Sequence, residues 1–175
     1  MNKLPAVLAA TALATAALAG CGARTAVAPA AAHPSTATLL STLGPTGYGE
    51  VSIGMSYVDA LATGQVTSQA VDGGHVLHLT GHPDAGLCLT RADGVMAIFA
   101  GKGMHTPEGL RIGSTAADLV KDYPKVRSIG PDGAVGDAGI FRADAHGGAW
   151  YEIDVNRQRV VTTIILRQDH QTCFE

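Results

Sequence analysis

The residues best suited to chemistry crowd into one short stretch: Asp72, His75, His78, His82 and Asp84. Imidazole is the commonest metal ligand. If Val76 to Thr80 is a strand, side chains alternate, so His78 and His82 share a face and His75 points the other way. A catalytic zinc site wants three protein ligands and an open position. The spacing offers only His78 and His82 as weak metal candidates, and solvated loop and sheet-edge histidines are the competing reading. Ser56 sits in Gly54-Met55-Ser56-Tyr57-Val58, which lacks the second glycine of a nucleophile elbow, so it reads as a helix cap. Gly101-Lys102-Gly103 lacks the upstream glycine and the following Ser or Thr of a phosphate loop. Glu152 and Asp154 lie two apart on an expected strand. That puts their side chains on one face about 7 Å apart, within the range of paired glycosidic carboxylates. Exposed acids on an open sheet face are equally ordinary surface. No catalytic residue is assigned, nothing in the spacing calls for a cofactor, and the chain is expected not to be an enzyme.

The elements that must position these residues repeat. Val51-Ser52-Ile53-Gly54-Met55-Ser56-Tyr57-Val58-Asp59 and Leu110-Arg111-Ile112-Gly113-Ser114-Thr115-Ala116-Ala117-Asp118 share one pattern: apolar, any, Ile-Gly, any, Ser or Thr, two more, Asp. Ser56 and Thr115 suit the N-cap, and the acid three residues on completes a capping-box-like start. Gly64 can stop the first helix and Pro124 must stop the second. Each helix precedes three β-rich runs. The first set is Val76 to Thr80, Gly86 to Thr90 and Val95 to Phe99. The second is Gly139 to Arg142, Ala149 to Val155 and Val160 to Leu166. Glycine-rich and Asp-Gly linkers of hairpin type separate the runs. The expected fold is α+β: two tandem helix-plus-antiparallel-meander repeats, residues 48–105 and 106–175, forming one sheet with helices on one face. Alternation from Trp150 to Val155 sets Tyr151, Ile153 and Val155 on one face and Trp150, Glu152 and Asp154 on the other. Trp150, the single tryptophan, with Glu152 and Arg142 as neighbours, forms a possible binding face; burial of Trp150 in the core is the alternative.

Ahead of the repeats, Lys3 precedes an apolar run from Leu4 to Leu18 free of acidic residues. A positive start, a short apolar centre and small residues at the end describe a secretory signal. The run is shorter than the roughly 20 residues needed to span a bilayer. Leu18-Ala19-Gly20-Cys21 resembles the lipobox of bacterial lipoproteins. That resemblance implies a signal peptide over residues 1–20, a diacylglyceryl group on Cys21, and attachment to the extracytoplasmic face of the cell membrane. Two or more acyl chains anchor stably where one does not. Residues 21–47, rich in Ala, Pro and Thr, read as a flexible tether. With Cys21 taken by lipid, Cys88 and Cys173 remain. They form either a disulfide, worth about 4 kcal/mol for so long a loop, or two unpaired buried thiols.

Tandem helix-plus-meander units opening on Gly-x-[Ser/Thr]-x-x-[Asp/Glu] resemble the β-lactamase-inhibitory-protein-like fold and the SmpA/OmlA outer-membrane assembly lipoproteins. The high Ala and Gly content adds a likeness to actinobacterial lipoproteins. This resemblance implies binding of another envelope protein through the open sheet face, without chemistry. The inhibitor carries a disulfide in each half, a pattern from which this chain departs. A formal charge of −3 provides no cationic surface of the kind that neutralises nucleic-acid phosphates. The alternative function is a small metal-handling or hydrolytic envelope lipoprotein that uses the His75–His82 cluster.

Overall fold

Two sets of alternating apolar residues, one in each half of the chain, meet in a single antiparallel sheet. The computed structural model describes residues 41–67, 76–130 and 134–169, all within one compact unit. Residues 1–20, expected as a signal peptide, and Cys21 lie outside the described residues. A short ribbon of β1 (Gly47–Tyr48) and β2 (Val51–Ser52) leads into helix α1 (Tyr57–Ala62). Strands β3 (Val76–Leu79), β4 (His82–Thr90) and β5 (Gly94–Phe99) follow. Helix α2 (Ala116–Asp122) then precedes β6 (Arg127–Ser128), β7 (Gly139–His146), β8 (Ala149–Val155) and β9 (Val161–Gln168). The seven-stranded order is β3-β4-β5-β9-β8-β7-β6. The last strands of the two meanders, β5 and β9, are therefore neighbours, pairing Ala97 with Arg167 and Phe99 with Ile165.

Both helices start for the reason their sequences suggest. Ser56 accepts from the Asp59 amide at 3.2 Å, and Thr115 from the Asp118 amide at 3.1 Å. At Thr115 the box closes, because the Asp118 carboxylate accepts from the Thr115 amide at 2.8 Å. Each pair satisfies donors that the first helical turn leaves open. Gly54 and Gly113 occupy the left-handed region, with φ of 81° and 95°, where a side chain would be strained. The turns they make dock on the sheet in the same way. Gly54 donates to the Val95 carbonyl and Val95 donates back to Met55; Gly113 and Ser114 make the equivalent pair with Val161.

One face of the sheet packs the core. Leu87, Ile98, Leu166, Ile153 and Phe141, one from each of five adjacent strands, join Ala60 and Leu119 from the helices in one buried cluster. The alternation expected in β8 holds: Tyr151, Ile153 and Val155 belong to that cluster.

Three sequence-based boundaries move. The first hairpin turns at Thr80-Gly81, so the segment from His82 to Ala85, expected as loop, opens β4. β7 continues through Asp144 to His146 and turns only at Gly147-Gly148. Both of these glycines have positive φ (69° and 87°), the requirement of a two-residue turn matched to strand twist. Leu43, inside the stretch expected as tether, is fully buried and its carbonyl accepts from the Tyr151 hydroxyl at 2.8 Å. A few leucines among Ala, Pro, Ser and Thr carry too little pattern to show which one is buried.

Candidate functional site

The histidines do not converge. His75 lies outside the described residues. His78 sits in β3 opposite Gly86, whereas His82 opens β4 opposite Leu79. His78 alternates with Leu77 and Leu79 of the core, so it faces the other side of the sheet. His82 turns toward the core side, where its Nε2 meets the Tyr48 hydroxyl at 2.9 Å and the two rings stack edge-on. The shared face expected for His78 and His82 fails because a turn, not one continuous strand, lies between them. Among the described residues no group of three or more His, Cys, Asp or Glu is placed to hold a metal ion. Ser56 is occupied as a cap, its hydroxyl donating to the Asp59 carboxylate at 2.6 Å.

A cavity of about 390 Å³ opens beside α2, lined by Glu108, Tyr123, Pro124, Val126 and Asp144 among others. Tyr123 donates to the Glu108 carboxylate and its ring tilts against Tyr151. Burial first, and then Glu108, push the Tyr123 hydroxyl far above its ordinary value; burial does the same to Tyr151. Both phenols stay protonated near neutral pH, so neither is poised to act as a base there.

The other side of the sheet is built differently. Trp150, Glu152 and Asp154 point to it from β8, as their alternation requires. Across the strands Arg142 lies opposite Glu152, Trp150 opposite Arg167, and Ile140 opposite Asp154. Trp150 is only 6% exposed, yet among the described residues neither helix joins its surroundings: Ala60 and Leu119 belong to the core on the other face. The Arg142 and Arg167 guanidinium carbons stand 4.5 and 4.9 Å from its ring centre, close enough for cation–π attraction. Each cation is tied to an acid: Arg142 to Asp169 at 2.5 Å, and Arg167 to Glu152. Trp150 is thus neither an open aromatic platform nor part of the main core. It is the middle layer of a charge-roofed stack.

The stack brings together all three residues expected to form a binding face, and adds Arg167 and Asp169. Their position at the end of β9, outside the Trp150 neighbourhood in sequence, hid them. The indole Nε1 and the Arg142 Nε are buried, with no hydrogen-bond partner among the described residues. Asp154 is half-buried, and burial raises its carboxyl above the usual range, partly offset by a bond from Thr163. Farther along the same face, Cys88, Ala97 and Ile165 form a small separate cluster with Phe99 packed against it. Cys88 is disulfide-bonded; Cys173, its expected partner, lies outside the described residues.

On the β6–β7 edge of this face, Arg127 lies directly opposite Arg142. On the next rung the Ile129 amide donates to the Ile140 carbonyl. Both isoleucines are exposed, at 44% and 40%. Comparison with protein-family models, curated proteins and solved structures finds no match for this chain.

Proposed function

We propose that this chain is a lipid-anchored lipoprotein on the extracytoplasmic face of the cell membrane, and that it is a non-catalytic module that binds another envelope protein. The observation that carries the reading is the division of labour between the two faces of the sheet. One face is consumed by the core and the helices. The other holds an ordered array of arginine, acid and tryptophan across β7, β8 and β9, next to exposed isoleucines. Exposed apolar groups beside arginine and an aromatic ring are the composition of recognition surfaces.

The finer architecture belongs to the same proposal. The chain is read as two tandem helix-plus-meander repeats, related to the β-lactamase-inhibitory-protein-like and SmpA/OmlA lipoproteins. Matched caps at Ser56 and Thr115, and matched docking of the Gly54 and Gly113 turns on Val95 and Val161, support it. Cys21 carries the lipid, and the tether lets the folded part stand away from the bilayer.

Two measurements test the reading. Cys21→Ser should move the protein out of the membrane fraction; unchanged fractionation removes the anchor. Arg142→Gln should strongly weaken chemical crosslinking to the envelope partner in a protein that still melts cooperatively. Undiminished crosslinking removes the face.

A further inference from the structure

We infer that the partner presents a carboxylate, from an acidic and apolar extended segment, to the Arg127–Arg142 edge of the open face. This rests on the reading of that face as a binding surface, and names the chemistry it takes. Like charges directly opposite on neighbouring strands repel, and Arg127 and Arg142 are such a pair. Among the described residues the ion pair of Arg142 runs away from this edge, across Trp150 to Asp169, and Arg127 has no ion-pair partner. The edge is therefore left with an unbalanced cation next to a cation held by a half-exposed acid. An acidic segment along this edge would place a carboxylate within reach of both arginine side chains, and guanidinium recognises carboxylate in a planar, two-bond geometry.

The structure already contains a stand-in for that ligand. Asp169 shows that a carboxylate fits against Arg142 while the cation rests on the indole. Asp169 also lines an open cavity of about 340 Å³ with Pro45, Thr46 and Gln168, so a displaced Asp169 side chain has room to move. Exchange of one carboxylate for another keeps the charge around Arg142 unchanged. Ile129 and Ile140 on the adjoining rung supply the apolar contact for the residue next to the acid.

The test uses the full chain purified in detergent, with a blocked Val-Glu-Val-Glu peptide and its Val-Gln-Val-Gln counterpart as probes. Trp150 is the only tryptophan, so its emission reports any change at Arg142. The glutamate peptide should shift that emission saturably and the glutamine peptide should not. Arg127→Gln and Arg142→Gln should each weaken binding about tenfold, and Asp169→Ala should tighten it about tenfold. A cooperative melting transition in each variant establishes that it is folded. Equal binding of the two peptides, indifference to Arg127→Gln, or no emission change at millimolar peptide even with Asp169→Ala would overturn the inference. In that event, crosslinking to the envelope partner that still depends on Arg142 would leave the binding face standing.

Discussion

Trp150 and Tyr151 are neighbours in β8, and both are buried, yet they are buried by different physics. Tyr151 enters a hydrocarbon core beside Phe141 and Ile153, and its hydroxyl donates a hydrogen bond to the Leu43 carbonyl. Trp150 is shielded by two guanidiniums, each held by a carboxylate. The first kind of burial is non-directional and is not weakened by charge screening. The second depends on ion pairs that salt screens and that a competing anion can replace. Low exposure on the two faces of one strand therefore means a hydrocarbon core on one side and a cover held by ion pairs on the other.

Substitutions across the two faces should separate these mechanisms. The largest effect is expected from Phe141→Ala, which empties a fully buried site: about 3–5 kcal/mol of stability lost, read by denaturant unfolding and independent of salt. Trp150→Ala removes ring contact and cation–π attraction but leaves the core intact, so about 2 kcal/mol is expected. The wild-type advantage should shrink as salt rises. A salt-independent loss as large as that of Phe141→Ala would make Trp150 an ordinary core residue. Thr115→Ala removes the cap of α2 on the covered side and should cost about 1 kcal/mol, measured by thermal melting.

The smallest effect concerns the acids, and its sign differs between regions. Burial raises the Asp154 carboxyl in the folded protein. The native state then holds its proton more tightly than the unfolded chain, so this group lowers stability at neutral pH. The penalty disappears as pH falls through the raised folded value. Asp154→Asn should accordingly raise the melting temperature slightly at neutral pH and leave it unchanged in acid. Asp118 is the reverse case. The Thr115 amide, and then its hydroxyl, hold its carboxyl below the usual range, so its contribution is lost as pH falls through that lowered value. Melting curves of wild type, Asp154→Asn and Asp118→Asn between acid and neutral pH should show opposite slopes for the two variants.

What the sequence made legible was what short-range pattern controls. The caps at Ser56 and Thr115, the glycine turns after Ile53 and Ile112, and the two faces of β8 all follow from residues a few positions apart. Register across strands does not. No local signal places Arg167 opposite Trp150, or bends Arg142 over the indole toward Asp169, because these contacts join β7, β8 and the end of β9. For the same reason exposure of Trp150 could not be read from alternation, which fixes the face and not what covers it. The histidine cluster misled in the opposite way: closeness in sequence around Thr80-Gly81 becomes separation in space when a turn intervenes.

The proposed division between a filled face and a binding face can be tested with two exposed residues. Ile140 lies on the open face and Val58, 72% exposed, lies on α1 of the covered side. A photo-crosslinking amino acid at each position, activated in living cells, should give a discrete adduct from position 140 and none from position 58. An adduct from position 58 alone, or none from either position, would contradict the account.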